Sequence, residues 1–176
     1  MEQQPQLIMR LERLEDLPPL SLSCGDTLHT HQAGLESAWE KIIESAFGFH
    51  MDFDFLKRAG AYAPEYVLYI RRGDEEMATT TATENPQFPG EGWLRMVGVK
   101  SEAKGLGLGK AIILAALYAL RARGYHSVLL STDDGRTAAL CAYLSLGFRP
   151  VYLHESHHAR WEALKDVLPP RFAALI

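Results

Sequence analysis

Residues 97–110 read VGVKSEAKGLGLGK, with glycines at 105, 107 and 109 and with Lys104 and Lys110 beside them. Apolar helix-forming residues follow at once in AIILAALYALRAR, and GWLRMVGV before the loop has the look of a strand. A strand must therefore give way to a helix through a segment from which side chains have been removed. Glycines let the backbone turn tightly and aim several amide N–H groups at one point. The first four N–H groups of the helix have no intrahelical partner, and the helix dipole places roughly half a positive charge there. The unit is a ready anion site, and Lys104 and Lys110 strengthen its field.

The rest of the chain supplies the elements around it. In GLESAWEKIIESAFG, Leu35, Ala38, Trp39, Ile42, Ile43, Ala46 and Phe47 recur at three- and four-residue steps, predicting an amphipathic helix closed by Gly48. DTLHTHQ alternates Leu28, Thr30 and Gln32 with His29 and His31, as a strand does. EYVLYI and EMATTTATEN are rich in strand-forming residues, and RRGDE between them supplies a turn, so the pair reads as a β-hairpin. After the glycine loop and its helix, HSVLLST reads as a short buried strand. A helix over about 136–146 ends at Gly147, FRPVYLHE makes a strand, and HHARWEALKDVL makes a last amphipathic helix before Pro169. LIMRLERL near the start is a short apolar stretch to which no element is assigned.

The order predicts a mixed α/β (α+β) domain. No repeat, low-complexity stretch or proline-rich linker divides the 176 residues, so the expectation is a single domain over 1–176. A net charge of -4 with no long basic cluster argues against an extended nucleic-acid footprint and for a small partner. Cys24 and Cys141 match no metal or redox spacing and read as reduced thiols, which suits the cytoplasm. No charged leader or 18-residue apolar run is present, so a soluble protein with no membrane partner is expected.

The loop narrows the ligand. A magnesium-nucleotide loop needs Ser or Thr after its Gly-Lys, whereas Lys110 is followed by Ala111. The dinucleotide fingerprint G-x-G-x-x-G is a poor fit to G-x-G-x-G, although Asp133 and Asp134 do end the next strand. Gly98, inside the strand RMVGVK, marks a bulge or the close approach of another chain or ligand. An extended ligand with its own amides would pair with the backbone of Val97 and Val99 and continue its phosphates into the glycine loop. A thiol arm with two amides that ends in a pyrophosphate is coenzyme A.

At this point the sequence resembles the GNAT superfamily of N-acetyltransferases. VGVKSEAKGLGLGKAIILAAL is similar to that family's Arg/Gln-x-x-Gly-x-Gly/Ala acyl-CoA motif, and AALCAYLSLGF to its Ala-x-x-x-Tyr-x-x-x-Gly-Phe signature, so that the resemblance covers about residues 93–152. Lys104 stands for the usual arginine or glutamine, and Arg136 stands where the family often has asparagine. The resemblance implies a central, mostly antiparallel sheet flanked by helices and splayed beside the bulged strand. It also implies acetyl-CoA as cosubstrate, held by Val97, Gly98, Val99, Lys104, Gly105, Leu106, Gly107, Leu108, Gly109 and Lys110. Attack by a neutral amine, of a small molecule or a peptide, would be direct. The backbone N–H near Val97 would polarise the carbonyl and Tyr143 would protonate the departing thiolate. A homodimer is admitted.

The general base stays unassigned. Glu91 shares a face with Val97 but lies about 20 Å away along an extended strand. Asp133 and Asp134 are nearer, but in that position acidic residues are more often helix caps than catalysts. His154, His157 and His158 have no partner cluster of recognised zinc spacing, so no metal is expected, and turn or helix-end roles suit them better. Phe49, Phe53, Phe55 and Tyr62 read as core or as the lining of an amine site. Two rivals stand beside the acetyltransferase: a non-catalytic acyl-CoA sensor on the same fold, and a nucleotide-binding oxidoreductase domain.

Overall fold

The strand that precedes the glycine loop is the middle one of a seven-stranded sheet, in a computed structural model that describes residues 4–58 and 62–176. The strands are β1 (Leu7–Leu11), β2 (Asp26–Thr30), β3 (Val67–Arg72), β4 (Glu75–Glu84), β5 (Gly92–Val99), β6 (Val128–Thr132) and β7 (Arg149–Val151). The helices are α1 (Glu36–Phe47), α2 (Asp54–Arg58), α3 (Leu108–Ala122), α4 (Thr137–Ser145), α5 (Glu155–Lys165) and α6 (Pro170–Ala173). Spatial order is β2-β3-β4-β5-β6-β1-β7, and every neighbouring pair is antiparallel except β5 and β6. A parallel pair needs a long crossover, which α3 provides.

Alternation along the strands divides the apolar residues between two layers. Leu68 and Ile70 of β3, Ala78 and Ala82 of β4 and Leu94 of β5 share a core with Ile112, Ile113, Ala116, Leu117 and Leu120 of α3. Val67 and Tyr69 turn to the other face and join Trp39, Ile42 and Ile43 of α1 with Phe53 and Leu56. Gly48 ends α1 in the left-handed conformation, its N–H donating to the Glu44 carbonyl at 2.8 Å, so the predicted stop is the observed one.

The hairpin of β3 and β4, the strand β5 and the helices α1, α3 and α4 lie where the sequence places them. Other boundaries differ. The strand expected from FRPVYLHE is only three residues long, because His154 caps α5, its ring Nδ1 accepting from the Ser156 N–H at 3.2 Å. That cap starts α5 at Glu155, earlier than the apolar pattern indicates, and a short helix, α6, follows Pro169. The larger difference is β1. The unassigned LIMRL segment is an inner strand, paired with β6 on one side and with β7 on the other. Leu7 and Met9 are fully buried on its inward face.

Candidate active site

The sheet opens beside β5. Only Gly92, Trp93 and Leu94 pair with β6, opposite Val128, Leu129 and Leu130, and β5 then runs on to Val99 without that neighbour. The change of course has a local cause. Register with β4 passes from Thr81 opposite Arg95 to Thr79 opposite Gly98, so Met96 and Val97 together face Thr80 in a bulge. Met96 takes φ 51°, and no other non-glycine residue among the described ones has positive φ. Such a conformation costs on the order of 1–3 kcal/mol and persists where the surroundings impose it.

Gly98 has a different role from the one read in the sequence. A Cβ there would meet Ile43 Cδ1 at 3.1 Å, Ile42 Cγ2 at 3.2 Å and Ala46 Cβ at 3.4 Å. The partner that approaches this strand closely is α1 of the same chain, and the bulge lies at Met96 and Val97. Ser45 and Ser101 reinforce the contact with a hydroxyl pair at 2.8 Å.

A cleft of about 430 Å³ occupies the opening, a size typical of small-molecule sites. Val97 and Val99 of β5 form one wall, Arg136, Thr137, Ala139 and Ala142 the other, and the glycine loop the mouth. Gly105 and Gly107 have φ of 81° and 80°, and a Cβ at either would touch nothing within 4 Å. The glycines are therefore required by backbone conformation and not by crowding from the chain itself. Gly107 caps α3 without a side-chain hydrogen bond, and no acidic residue lies in the first turn. The Leu108, Gly109 and Lys110 amides thus precede the first helical bond at the α3 start, from the Ala111 N–H to the Gly107 carbonyl. With Lys104 on the rim, the mouth fits a pyrophosphate and the stretch of β5 beyond Leu94, which has no β6 beside it, fits an extended amide-bearing arm.

Of the residues predicted to bind such a ligand, Val97, Val99, Lys104, Gly105, Gly107, Leu108 and Gly109 line this cleft. Gly98 faces α1, and Leu106 and Lys110 are solvent-exposed beside the loop without lining it. Tyr143 is set back. It is 2 % exposed, packs edge-on against Phe148 at 5.8 Å, and lies on α4 beside Ala139 and Ala142, which do form the wall. Burial pushes its hydroxyl pKa up to about 12, against a smaller opposing effect of the Arg136 charge.

The carboxylates weighed as bases are engaged elsewhere. Glu91 pairs with Arg10 at 2.6 Å and accepts from the Ser127 hydroxyl, at the closed end of the sheet. Asp133 accepts from the Gln6 amide at 3.1 Å. Asp134 accepts from Arg160 at 2.6–3.1 Å, and that guanidinium holds its carboxyl below the ordinary range. His157 lies on the buried face of α5 and His158 stacks on Tyr152 at 4.3 Å. Among the described residues no cluster of three or more His, Cys, Asp or Glu is placed to hold a metal ion. Phe53 belongs to the core beneath α1 and stacks on His31 at 4.4 Å, Phe55 and Tyr62 pack at its margin, and Phe49 is exposed.

Arg136 is the functional candidate that sequence reasoning missed. Its Nη2 donates to the Val97 carbonyl at 3.0 Å, and its guanidinium lies 4.1 Å from the centre of the Phe47 ring. The only hint in the sequence is an arginine where the motif leads one to expect asparagine.

A mixed sheet opened beside a bulged strand, with a glycine loop and helix N-terminus at the mouth, defines a class. A GCN5-related N-acetyltransferase from Sphaerobacter thermophilus superimposes with a TM-score of 0.69 at 26% identity, over 84% of this chain and 50% of that one. The model of the Acetyltransferase (GNAT) family matches residues 33–148, and the chain belongs to that family. Mycothiol acetyltransferases from Pseudarthrobacter chlorophenolicus and Thermobispora bispora are each 33% identical to it, over 154 and 153 residues and 80% of this chain. Those matches take in 48% and 52% of the relatives, so the chain spans about half their length.

Proposed function

We propose that this protein transfers the acetyl group of acetyl-CoA to a primary amine, by direct attack while donor and acceptor are bound together. The observation that carries the reading is the departure of β5 from β6 after Leu94, in a cleft that ends at the glycine loop and α3. Acetyl-CoA, when bound, supplies an activated thioester carbonyl and a thiol leaving group. The chain's residues supply the rest. Amides of the glycine loop and of the first turn of α3, with Lys104, hold the phosphates. The backbone of Val97 and Val99 aligns the amide arm, and the Val97 N–H faces the carbonyl as an oxyanion donor, a role worth about 2.7–4 kcal/mol. Tyr143, a phenol that carries its proton at neutral pH, donates to the departing sulfur.

The names of the relatives put mycothiol-related amines first among acceptors to be tried, before polyamines, amino acids and peptides. The free thiols Cys24 and Cys141 suit a reducing compartment. A second reading, a non-catalytic acyl-CoA sensor, is favoured by the position of Tyr143 behind the cleft wall. One experiment separates these. CoA and acetyl-CoA should raise the thermal midpoint, by an amount corresponding to about 2.7 kcal/mol at a hundredfold excess over Kd, while NADH and ATP do much less. An amine screen with acetyl-CoA, followed by release of free thiol, should then show turnover. Equal stabilisation by NADH overturns the cosubstrate; stabilisation with no thiol release from any amine favours the sensor.

A further inference from the structure

We propose that Arg136 is a positioning residue for the thioester carbonyl, acting as a clamp across the open part of the sheet; this rests on the acetyl-CoA reading of the cleft. Three observations meet at this side chain. It leaves the chain at the N-cap of α4, on the wall opposite β5, and its Nη2 crosses the cleft to the Val97 carbonyl at 3.0 Å. Its guanidinium stacks on Phe47 at the end of α1, and α1 is itself locked to β5 through the missing Cβ of Gly98 and the Ser45–Ser101 pair. Finally, Val97 directly follows Met96, whose φ of 51° turns the strand at the bulge.

The physical argument starts from that strained residue. Beyond Leu94, β5 has no ladder to β6 that would hold its bulge, and a non-glycine residue in the left-handed region relaxes unless its neighbours forbid it. A charged donor on the following carbonyl is a restraint of the required kind, because charge-assisted hydrogen bonds are roughly twice as strong as neutral ones. The carbonyl keeps a second lone pair, so the clamp and a ligand amide can share it. Arg136 thereby fixes the amide that would point at the acetyl oxygen, and ties it to the helix that carries Tyr143. An asparagine side chain at this position has neither the length nor the planar cation to stack on Phe47 and reach β5 together.

The test reads the carbonyl itself and needs no acceptor. Acetyl-CoA labelled with heavy carbon at the acetyl carbonyl is bound to the wild-type chain and to Arg136→Met, which keeps a long unbranched side chain at this position but removes the charge and the donor. Isotope-edited infrared spectra report the carbonyl stretch, which falls when an oxyanion donor is aligned with it, and calorimetry reports affinity. The methionine variant should lose at least half of the wild-type downshift while its affinity changes by less than about threefold. Arg136→Lys should recover part of the shift. Should the methionine variant not fold, Arg136→Gln is judged by the same spectrum. A wild-type downshift in the methionine or glutamine variant overturns the clamp alone. Failure of the wild-type protein to bind acetyl-CoA overturns the cosubstrate reading, and the clamp with it.

Discussion

At the scale of single residues, Tyr143 shows how burial sets chemistry. Its hydroxyl pKa lies at about 12 instead of the ordinary 10.0, because the apolar setting disfavours the phenolate. The folded protein therefore keeps this proton in a range where an unfolded chain releases it. Folding loses stability as the pH rises from 10 toward 12, by about 1 kcal/mol at pH 11. Urea melts at pH 9 and pH 11 should show this loss reduced in Tyr143→Phe, and an equal loss in both proteins would mean that the phenol is solvated. In acetyl transfer, the same substitution should lower the single-turnover rate about a hundredfold with little change in acetyl-CoA affinity. An unchanged rate would return Tyr143 to a packing role alone. Gly107 tests the loop in the same spirit. Gly107→Val meets open space but must adopt a φ of 80°, at a cost of about 1–2 kcal/mol; the fold should survive while calorimetry shows CoA binding greatly weakened.

At the scale of elements, the site depends on how closely α1 lies on β5. Gly98→Val would drive carbon atoms into Ile42 and Ile43, and overpacking of this kind costs about 1–3 kcal/mol. The midpoint should fall by roughly 3–10 °C for a domain of this size. Gly98→Ala should cost less, and a Gly98→Val protein as stable as wild type would show that α1 yields freely. A second link joins α5 to the end of β6, where Arg160 grips Asp134 with two nitrogens. Because the carboxyl pKa is lowered by that guanidinium, the pair stabilises the fold at neutral pH and loses its effect as the pH falls through the lowered value. Asp134→Asn should therefore destabilise at pH 7 and approach wild type in acid; a loss independent of pH would assign the effect to packing. These contacts were only partly legible in the sequence. The α1 stripe predicts a helix with one buried face, but not which strand it covers. Gly98 signals a close approach, but a glycine looks the same whether a helix or a ligand comes near.

At the scale of the whole molecule, the unexpected feature is β1 in the interior of the sheet. It separates β6 from β7 and contributes Leu7, Met9 and Leu11 to the main core. Removing residues 1–11 would bare the edge of β6 and leave the hydrogen bonds of two strands unmade. The truncated chain should lose cooperative unfolding in far-ultraviolet circular dichroism; a sharp transition at the wild-type midpoint would show that β1 is dispensable.

The sequence by itself determined the local units. The spacing of apolar residues marks α1 and α3, the glycines mark the turn into α3, and the two motifs around that turn and Tyr143 mark the family, because each depends on residues close together in the chain. Tertiary structure alone decided the partners. The LIMRL segment has no period strong enough to announce a strand, and it becomes one because β6 and β7, more than a hundred residues later, present hydrogen-bonding edges on both sides. The positive φ of Met96 has no sequence signature either; it arises where β4 and β5 pair out of step. Arg136 meets Val97 across 39 positions of sequence, a distance over which spacing carries no information and only the packing of α1, β5 and α4 brings the groups together.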